Sequence, residues 1–504
     1  MYILKKEQLK QLDTLYVAKN SLSSYELMEK VSEAIFERLR LQIDFNRRFI
    51  IIAGTGNNGG DALAIARMFL VLGMPIEVYI FDTNGKKSID FNANLEKIVK
   101  LISNTTNSKC VSISQDDFDL EIVADDQIID GLFGFGLNRE LDSTIGNLIN
   151  QINKSKFIYS IDLPSGLFCE SNLENSLSVV VSARRTYTIQ TPKLPFFFND
   201  TACFAGDVEI IDVGMNPIDY LRDTLPYRTI EKHDIKLPKR NKFSHKGHFG
   251  HGLLIAGSKG MAGAAILAAK ASLKSGIGLL TCHIPALNVL PLQISLPEAI
   301  CVADSNMDFV SNITLASHYT AIAIGPGLSV NDTTCSAFEQ VLKNIKIPMV
   351  IDADGLNIIS KLPHLLQCLP ANTILTPHPK EFDRLFGNSK NSEDRFNKQV
   401  LASKKYGIII VLKGHNSSIS LPTGEVWFNT TGNAGMATAG SGDLLTGMIL
   451  SFLAQGFSAS VAARYAVYLH GLAGDIAAKN VGEYSLIASD IIDSIFKAII
   501  ECSE

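Results

Sequence analysis

No histidine precedes His233 in this chain of 504 residues; all ten lie there or later. Acid–base chemistry in the first part must therefore rest on carboxylate, tyrosine, lysine or cysteine. Cysteine is also sparse. The eight are scattered from Cys110 to Cys502 without a CxxC pair, which argues against a zinc site or a disulfide framework and fits free thiols in a reducing compartment. No run of about 20 apolar residues occurs, so no membrane span is expected. The opening MYILKKEQLKQLD has no apolar stretch of the signal-peptide kind. Basic residues are outnumbered, 46 against 51 acidic, for a formal net charge of -5. Lys239, Arg240 and Lys242 make only a short basic knot, so nucleic acid is not an expected partner. A cytoplasmic, ordinary globular protein is the reading.

What is present is regular. With 46% hydrophobic and 19% charged residues, a chain of this length divides into more than one core. Short apolar runs alternate with helical patterns. Leu27, Met28, Val31, Ala34 and Ile35 recur at helical spacing behind Ser23 and Ser24. Phe49–Ala53 is a continuous apolar run that stops at glycine, as a buried parallel strand does. A helix is predicted over 62–72, and further strands over 76–81 and ending at Asp130, at Asp162 and near Gln190. The alternation predicts a doubly wound α/β sheet. The stretch from Gly214 to about Lys242 carries Pro217, Pro226 and Pro238 and breaks the rhythm, as an interdomain linker would. Beyond it, strands are predicted at 253–256, 278–284, 319–324, 348–352, 373–376 and 407–412.

Residues 54–61 read GTGNNGGD between a strand and a helix. Such glycines let a backbone approach a ligand closely, and helix-start amides attract phosphate. With Asp82 ending the next strand, a nicotinamide-dependent dehydrogenase is a fair first thought, but it leaves the side chains of Asn57, Asn58 and Asp61 unexplained. Asp130 precedes a second glycine loop, GLFGFGLNRE, and Asp162 precedes Leu163-Pro164-Ser165-Gly166. Buried strand-end carboxylates cost desolvation unless they bind something.

These three motifs together resemble those of the NAD(P)H-hydrate epimerase domain. The resemblance implies that Asn57, Asn58, Gly59, Gly60 and Asp61 hold a hydrated dinucleotide. With them go Gly134, Phe135, Gly136, Leu137, Asn138, Arg139 and Glu140, and Asp162 contacts the damaged ring and handles its protons. It implies K+ ligation by Asn58, Asp130 and Ser165, oxygen donors that suit a hard cation. Ala62 departs from the pattern, where glycine is commoner.

In the second half, Gly440-Ser441-Gly442-Asp443 stands before a long apolar helix. Its free amides form an anion site with a carboxylate beside it, an arrangement for phosphoryl transfer in which Asp443 accepts the proton. A capping role for Asp443 is the competing reading. A helix start should also keep that carboxylate ionised at neutral pH. No Walker GxxxxGK[ST] occurs. The ordered set HKGxxG, AGSxxxxGAA, GPGL, DADGLN, TPHPxEF, KG and AGSGD resembles the ribokinase-like NAD(P)H-hydrate dehydratase domain. It implies nucleotide binding at Lys413, Gly414, His415, Asn416, Ser417 and Gly442, and the hydrated nicotinamide near Ala264, Gly327, His378 and Asp443.

The resemblances together imply an epimerase domain over 1–220, a linker over 221–242 and an ADP-dependent (S)-NAD(P)H-hydrate dehydratase domain over 243–504. The first is Rossmann-like and the second ribokinase-like. Substrates would be NADHX and NADPHX, with K+ for the first domain, Mg2+ for the second and ADP as phosphoryl donor; a homo-oligomer is expected. Two alternatives stay open: a small-molecule kinase with a regulatory N-terminal domain, and a noncatalytic first domain.

Overall fold

The computed structural model describes residues 1–82, 86–113, 120–221 and 225–503. The chain forms two compact units, Met1–Leu225 with Asn391–Glu393, and Pro226–Lys390 with Asp394–Glu504.

The first unit is built on a seven-stranded sheet, parallel throughout. Its spatial order is Lys109–Ile113, Glu77–Phe81, Phe49–Gly54, Gln127–Gly131, Phe157–Ile161, Arg185–Ile189 and Asp207–Ile211. Phe49–Gly54 is buried along its whole length, which is why it reads as an uninterrupted apolar run. The chain builds outward from this strand in one direction and then crosses back to Gln127–Gly131. A crevice at the carboxyl ends of two such neighbours is where ligands of open α/β sheets bind. The helix Ser24–Leu39 starts where the sequence places it: Ser23 accepts from the Glu26 amide while Glu26 reaches back to the Ser23 amide. One boundary differs. The helix predicted from residue 62 begins at Asn57, so the Asn-Asn-Gly-Gly-Asp segment is its first turn rather than a loop. A Cβ on Gly59 would lie 1.7 Å from the Gly54 carbonyl oxygen, so only glycine lets this turn close against the strand end. Ala62 is tolerated because Gly131 faces it; a Cβ there would sit 2.4 Å from the Ala62 methyl.

In the second unit the strands follow the order Tyr227–Thr229, Val426–Phe428, Ser418–Ser420, Ile409–Leu412, Ile374–Leu375, Met349–Ile351, Ala321–Ile324, His251–Ile255, Leu279–Ile284 and Ile300–Ala303. The run from Ile409–Leu412 to Ile300–Ala303 is parallel, and Ser418–Ser420 and Val426–Phe428 join it antiparallel. Within the stretch read as linker, Tyr227–Thr229 is a strand parallel to Val426–Phe428. The Arg228 guanidinium lies 3.3 Å over the Trp427 ring, so the polar residue that made this segment look like linker covers a buried indole. Helix Ser441–Ala454 packs on helix Ala262–Lys274 at a glycine. A Cβ on Gly447 would meet the Ala268 carbonyl oxygen at 2.0 Å, and the Ser272 hydroxyl donates to the Gly447 carbonyl at 2.9 Å. All eight cysteines are free thiols. Among the described residues no helix is long and apolar enough to cross a membrane.

Candidate active sites

In the first unit the strand-end crevice opens into a cavity of about 1030 Å³. Asn57, Asn58 and Asp61 line it from the helix start, Gly134, Phe135, Gly136, Leu137, Asn138 and Arg139 from the second glycine loop, and Asp162 from the following strand end. Gly59, Gly60 and Glu140 do not line it; the two glycines pack inward instead. Asp130 lies beneath, fully buried and within its strand. The Ser165 hydroxyl donates to its Oδ1 at 2.6 Å, and the Ser160 hydroxyl and Ser165 amide donate to its Oδ2 at 2.8 and 2.9 Å. Burial raises the Asp130 carboxyl and these donors hold it back. A Cβ on Gly134 would touch the Asn58 carboxamide oxygen at 3.0 Å, and the Asn58 Nδ2 is buried without an acceptor among the described residues.

Asp162 is not a free carboxylate. It sits at φ 63°, is 1% exposed, and pairs with Lys193, itself 1% exposed, at 2.5 Å between Oδ1 and Nζ. The amides of Ile189 and Phe135 donate to its two oxygens at 3.3 and 3.2 Å, and the Lys193 ammonium also donates to the Ile189 carbonyl at 2.9 Å. Lys193 was missed from sequence: in Thr191-Pro192-Lys193 it reads as a surface lysine after a strand. Asp13 was missed too, being one polar residue on an N-terminal helix. It lines the same cavity, and burial together with the Asp162 charge pushes its carboxyl up to about 6 against the opposing pull of Lys193.

In the second unit, Asp443 occupies the first turn of Ser441–Ala454, whose cap, Gly440, makes no side-chain capping bond. Among the described residues the Asp443 carboxylate itself accepts no hydrogen bond, so it does not cap its helix. Burial first, and Asp352 second, push its carboxyl up to about 7 while Lys413 pulls it down. The helix-start argument for a fully ionised group loses to desolvation and a like charge. Lys413, following Ile409–Leu412, donates to Asp352 Oδ1 at 2.9 Å, and Thr446 donates to Oδ2 at 2.6 Å. A Cβ on Gly442 would lie 3.4 Å from the Lys413 ammonium and 3.9 Å from Asp352, so the pair borders the open helix amides. Burial would lower Lys413, but Asp352 and Glu381 outweigh it and hold it above its ordinary value. Gly414 and Ser417 close a turn, the Ser417 hydroxyl accepting from the Gly414 amide at 3.3 Å, with His415 exposed in that turn and Asn416 beside it.

Gly327 and Ala264 adjoin: a Cβ on Gly327, at φ 60°, would lie 3.2 Å from the Ala264 methyl. His378 caps Pro379–Phe386, its Nδ1 accepting from the amides of Lys380 and Glu381 at 3.1 and 3.3 Å. Burial lowers its pKa against the pull of Glu381, whose carboxylate lies 3.5 Å from Nε2, the ring nitrogen that the backbone amides leave unengaged. His470, unnoticed in the sequence, places Nε2 3.3 Å from the Ser441 hydroxyl, and burial pushes it down to about 4.

Comparison with known proteins follows this division. Residues 24–194 match the family model for the YjeF-related protein N-terminus, and residues 252–497 match that for NAD(P)H-hydrate dehydratase. The bifunctional NAD(P)H-hydrate repair enzyme Nnr of Moorella thermoacetica is 33% identical over 98% of this chain and 96% of its own. Its namesake from Escherichia coli is 29% identical over 95% and 90%. Among solved structures, an ADP/ATP-dependent NAD(P)H-hydrate dehydratase from Bacillus subtilis, co-crystallised with ATP and Mg2+, is 32% identical. It covers 53% of this chain and 95% of its own, with a TM-score of 0.46. Matched over nearly its full length by relatives that carry both parts, the chain belongs to the family of bifunctional NAD(P)H-hydrate repair enzymes.

Proposed function

We propose that this chain repairs hydrated NADH and NADPH: the first unit interconverts the R and S epimers, and the second dehydrates the S epimer at the expense of ADP, releasing AMP and phosphate. The observation that carries the reading is Asp443, a carboxylate free of any capping bond, beside Gly442 and the Lys413–Asp352 pair. The open amides of Gly440 and Gly442 and the Lys413 charge receive the transferring phosphate, with Lys413, Gly414, His415, Asn416, Ser417 and Gly442 holding the nucleotide. Asp443 takes the proton of the C6 hydroxyl as its oxygen attacks phosphorus. The ring nitrogen lone pair expels the C6 phosphate, a far better leaving group than hydroxide, and loss of the C5 proton to solvent restores the 5,6 double bond. Ala264, Gly327 and His378 form the bed of the nicotinamide.

Mg2+ would accompany the nucleotide phosphates, where it neutralises charge. Such ions need only one or two protein carboxylates when phosphates supply other ligands, and the described residues include no cluster of three ligands. In the first unit, the residues around Asp130 suit K+. A buried carboxylate is surrounded by hydroxyls and amides, and the Asn58 carboxamide nitrogen, unpartnered among the described residues, would on turning over present its oxygen. Asn58, Asp130 and Ser165 would hold the ion, which would supply charge compensation for the buried Asp130 carboxylate. The working compartment is the cytoplasm and the working form a homo-oligomer. The test is incubation of separated R-NADHX and S-NADHX with ADP and Mg2+, following recovery of reduced-nicotinamide absorbance. Phosphate retained on the substrate would make the protein a kinase; no recovery from either epimer would end the proposal.

A further inference from the structure

Asp13 faces the epimerase cavity beside the locked Lys193–Asp162 pair. Asp162 has its oxygens occupied by Lys193 and by the Phe135 and Ile189 amides. Asp61 accepts from the Ser32 hydroxyl at 3.2 Å, and burial raises its carboxyl well above the ordinary range. Asp13 alone among these three carboxylates has no hydrogen bond among the described residues. It lines the cavity from the helix Lys6–Asn20. A group that transfers protons must be able to change partners, and a saturated carboxylate cannot do so without breaking its site.

Resting on the epimerase reading, we infer that Asp13 is the proton donor and acceptor of epimerisation, and that Lys193–Asp162 is a fixed pair that positions the ring. The step runs as follows. The Asp13 carboxyl gives its proton to the C6 hydroxyl. The C6–O bond breaks with both electrons leaving on water, and the ring nitrogen lone pair closes a C=N double bond. The Asp13 carboxylate just formed pairs with this cation. The planar ring turns about its bond to ribose, water adds to the other face of C6, and its surplus proton returns to Asp13. Atoms and charge balance, and no oxidant is consumed. The charged groups facing Asp13 are Asp162, Lys193 and Asp61. Burial and the Asp162 charge raise the carboxyl to about 6 against the pull of Lys193, so its protonated form is available close to neutral pH.

The experiment measures enzyme-dependent epimerisation of R-NADHX, after subtraction of the spontaneous rate, in wild type and D13N. S-NADHX dehydration in the same preparations serves as the control. Expected are a loss of at least about 10²-fold in epimerase kcat, unchanged dehydration and an unfolding midpoint no lower than wild type, since an ionised carboxylate is no longer being buried. D13N activity above a third of wild type overturns the inference. So does a fall in kcat matched by a fall in stability and rescued by nothing. If D13N is insoluble, the intact enzyme decides: its epimerase kcat/KM must fall as pH rises through about 6, and a flat or rising profile overturns the assignment. Inversion in heavy-oxygen water must place solvent oxygen on C6; inversion without label overturns the bond-breaking step. A wild type that does not epimerise at all, while dehydrating S-NADHX normally, sinks the epimerase reading and the Asp13 assignment with it.

Discussion

Two opposing effects meet at Asp443. Its place in the first turn of a helix favours the ionised form, while burial and the Asp352 charge favour the neutral one and prevail, setting the carboxyl at about 7. The base needed for dehydration is the ionised form, so dehydratase kcat/KM should rise with pH and level off above about 7. Asp443→Asn should cost at least about 10²-fold in dehydration, abolish that rise, and leave nucleotide affinity nearly unchanged. More than a tenth of normal turnover in the variant would send the proton elsewhere. Stability moves the other way. A carboxyl raised from its ordinary 3.8 in the folded state carries a penalty that is absent well below pH 4 and complete above about 7. Asp443→Asn should therefore melt no lower than wild type at pH 8, by calorimetry. Asp443 was legible in the sequence because Gly-Ser-Gly-Asp before an apolar run is a local signal. Asp13, Lys193, Thr446 and His470 were not, because each acquires meaning only from a partner far away in the chain, as Thr446 does from Asp352.

Strands and helices were more legible than the side chains they position. Continuous apolar runs such as Phe49–Gly54 and Ala321–Ile324 are buried on both faces, and burial of that kind writes itself directly into composition. The short strands Ser418–Ser420 and Val426–Phe428 carry only three residues each, too few for any periodicity, so they escaped notice. The helix pair Ala262–Lys274 and Ser441–Ala454 shows how an element reaches the chemistry. Gly447 lies on the same helix as Gly442 and Asp443, and its missing side chain lets the Ala268 carbonyl approach. Gly447→Ala would place a methyl carbon 2.0 Å from that oxygen, so the helices must separate or shift. Overpacking of this kind costs about 1–3 kcal/mol, and the shift displaces the Asp443 turn. A lowered melting point with reduced dehydration and intact epimerisation is expected; a variant indistinguishable from wild type in melting would show that the two helices are not in this contact.

The division of labour between the units gives two further expectations. Asp130 is enclosed by Ser160, Ser165 and Leu132 of its own unit. Asp130→Ala should thus weaken epimerisation and its response to K+, while S-NADHX dehydration stays within about twofold, because sites without shared partners behave independently. Equal loss of both activities would contradict separate sites. The boundary between the units can be tested more sharply than a proline-rich linker would allow. Sequence composition points to a cut near residue 230, but the second unit begins at Pro226, and the residues between are structural. The Val426 amide donates to the Pro226 carbonyl at 2.8 Å, and the Ile230 amide to Phe428 at 2.8 Å. Arg228 stacks on Trp427, whose ring is 2% exposed. A fragment starting at Pro226 should fold and dehydrate S-NADHX. One starting at Ile230 loses the strand Tyr227–Thr229 and the Arg228 cover of Trp427, leaving Arg464 over that ring at 4.1 Å. The stacked guanidinium alone is worth about 0.5–2 kcal/mol, and each kcal/mol moves the melting point by roughly 2–4 °C in a unit of this size. The shorter fragment should therefore melt several degrees lower and show a red-shifted Trp427 emission, this being the chain's single tryptophan. Equal melting points and equal emission would mean that 226–229 are linker after all, and that the second unit starts where composition alone would put it.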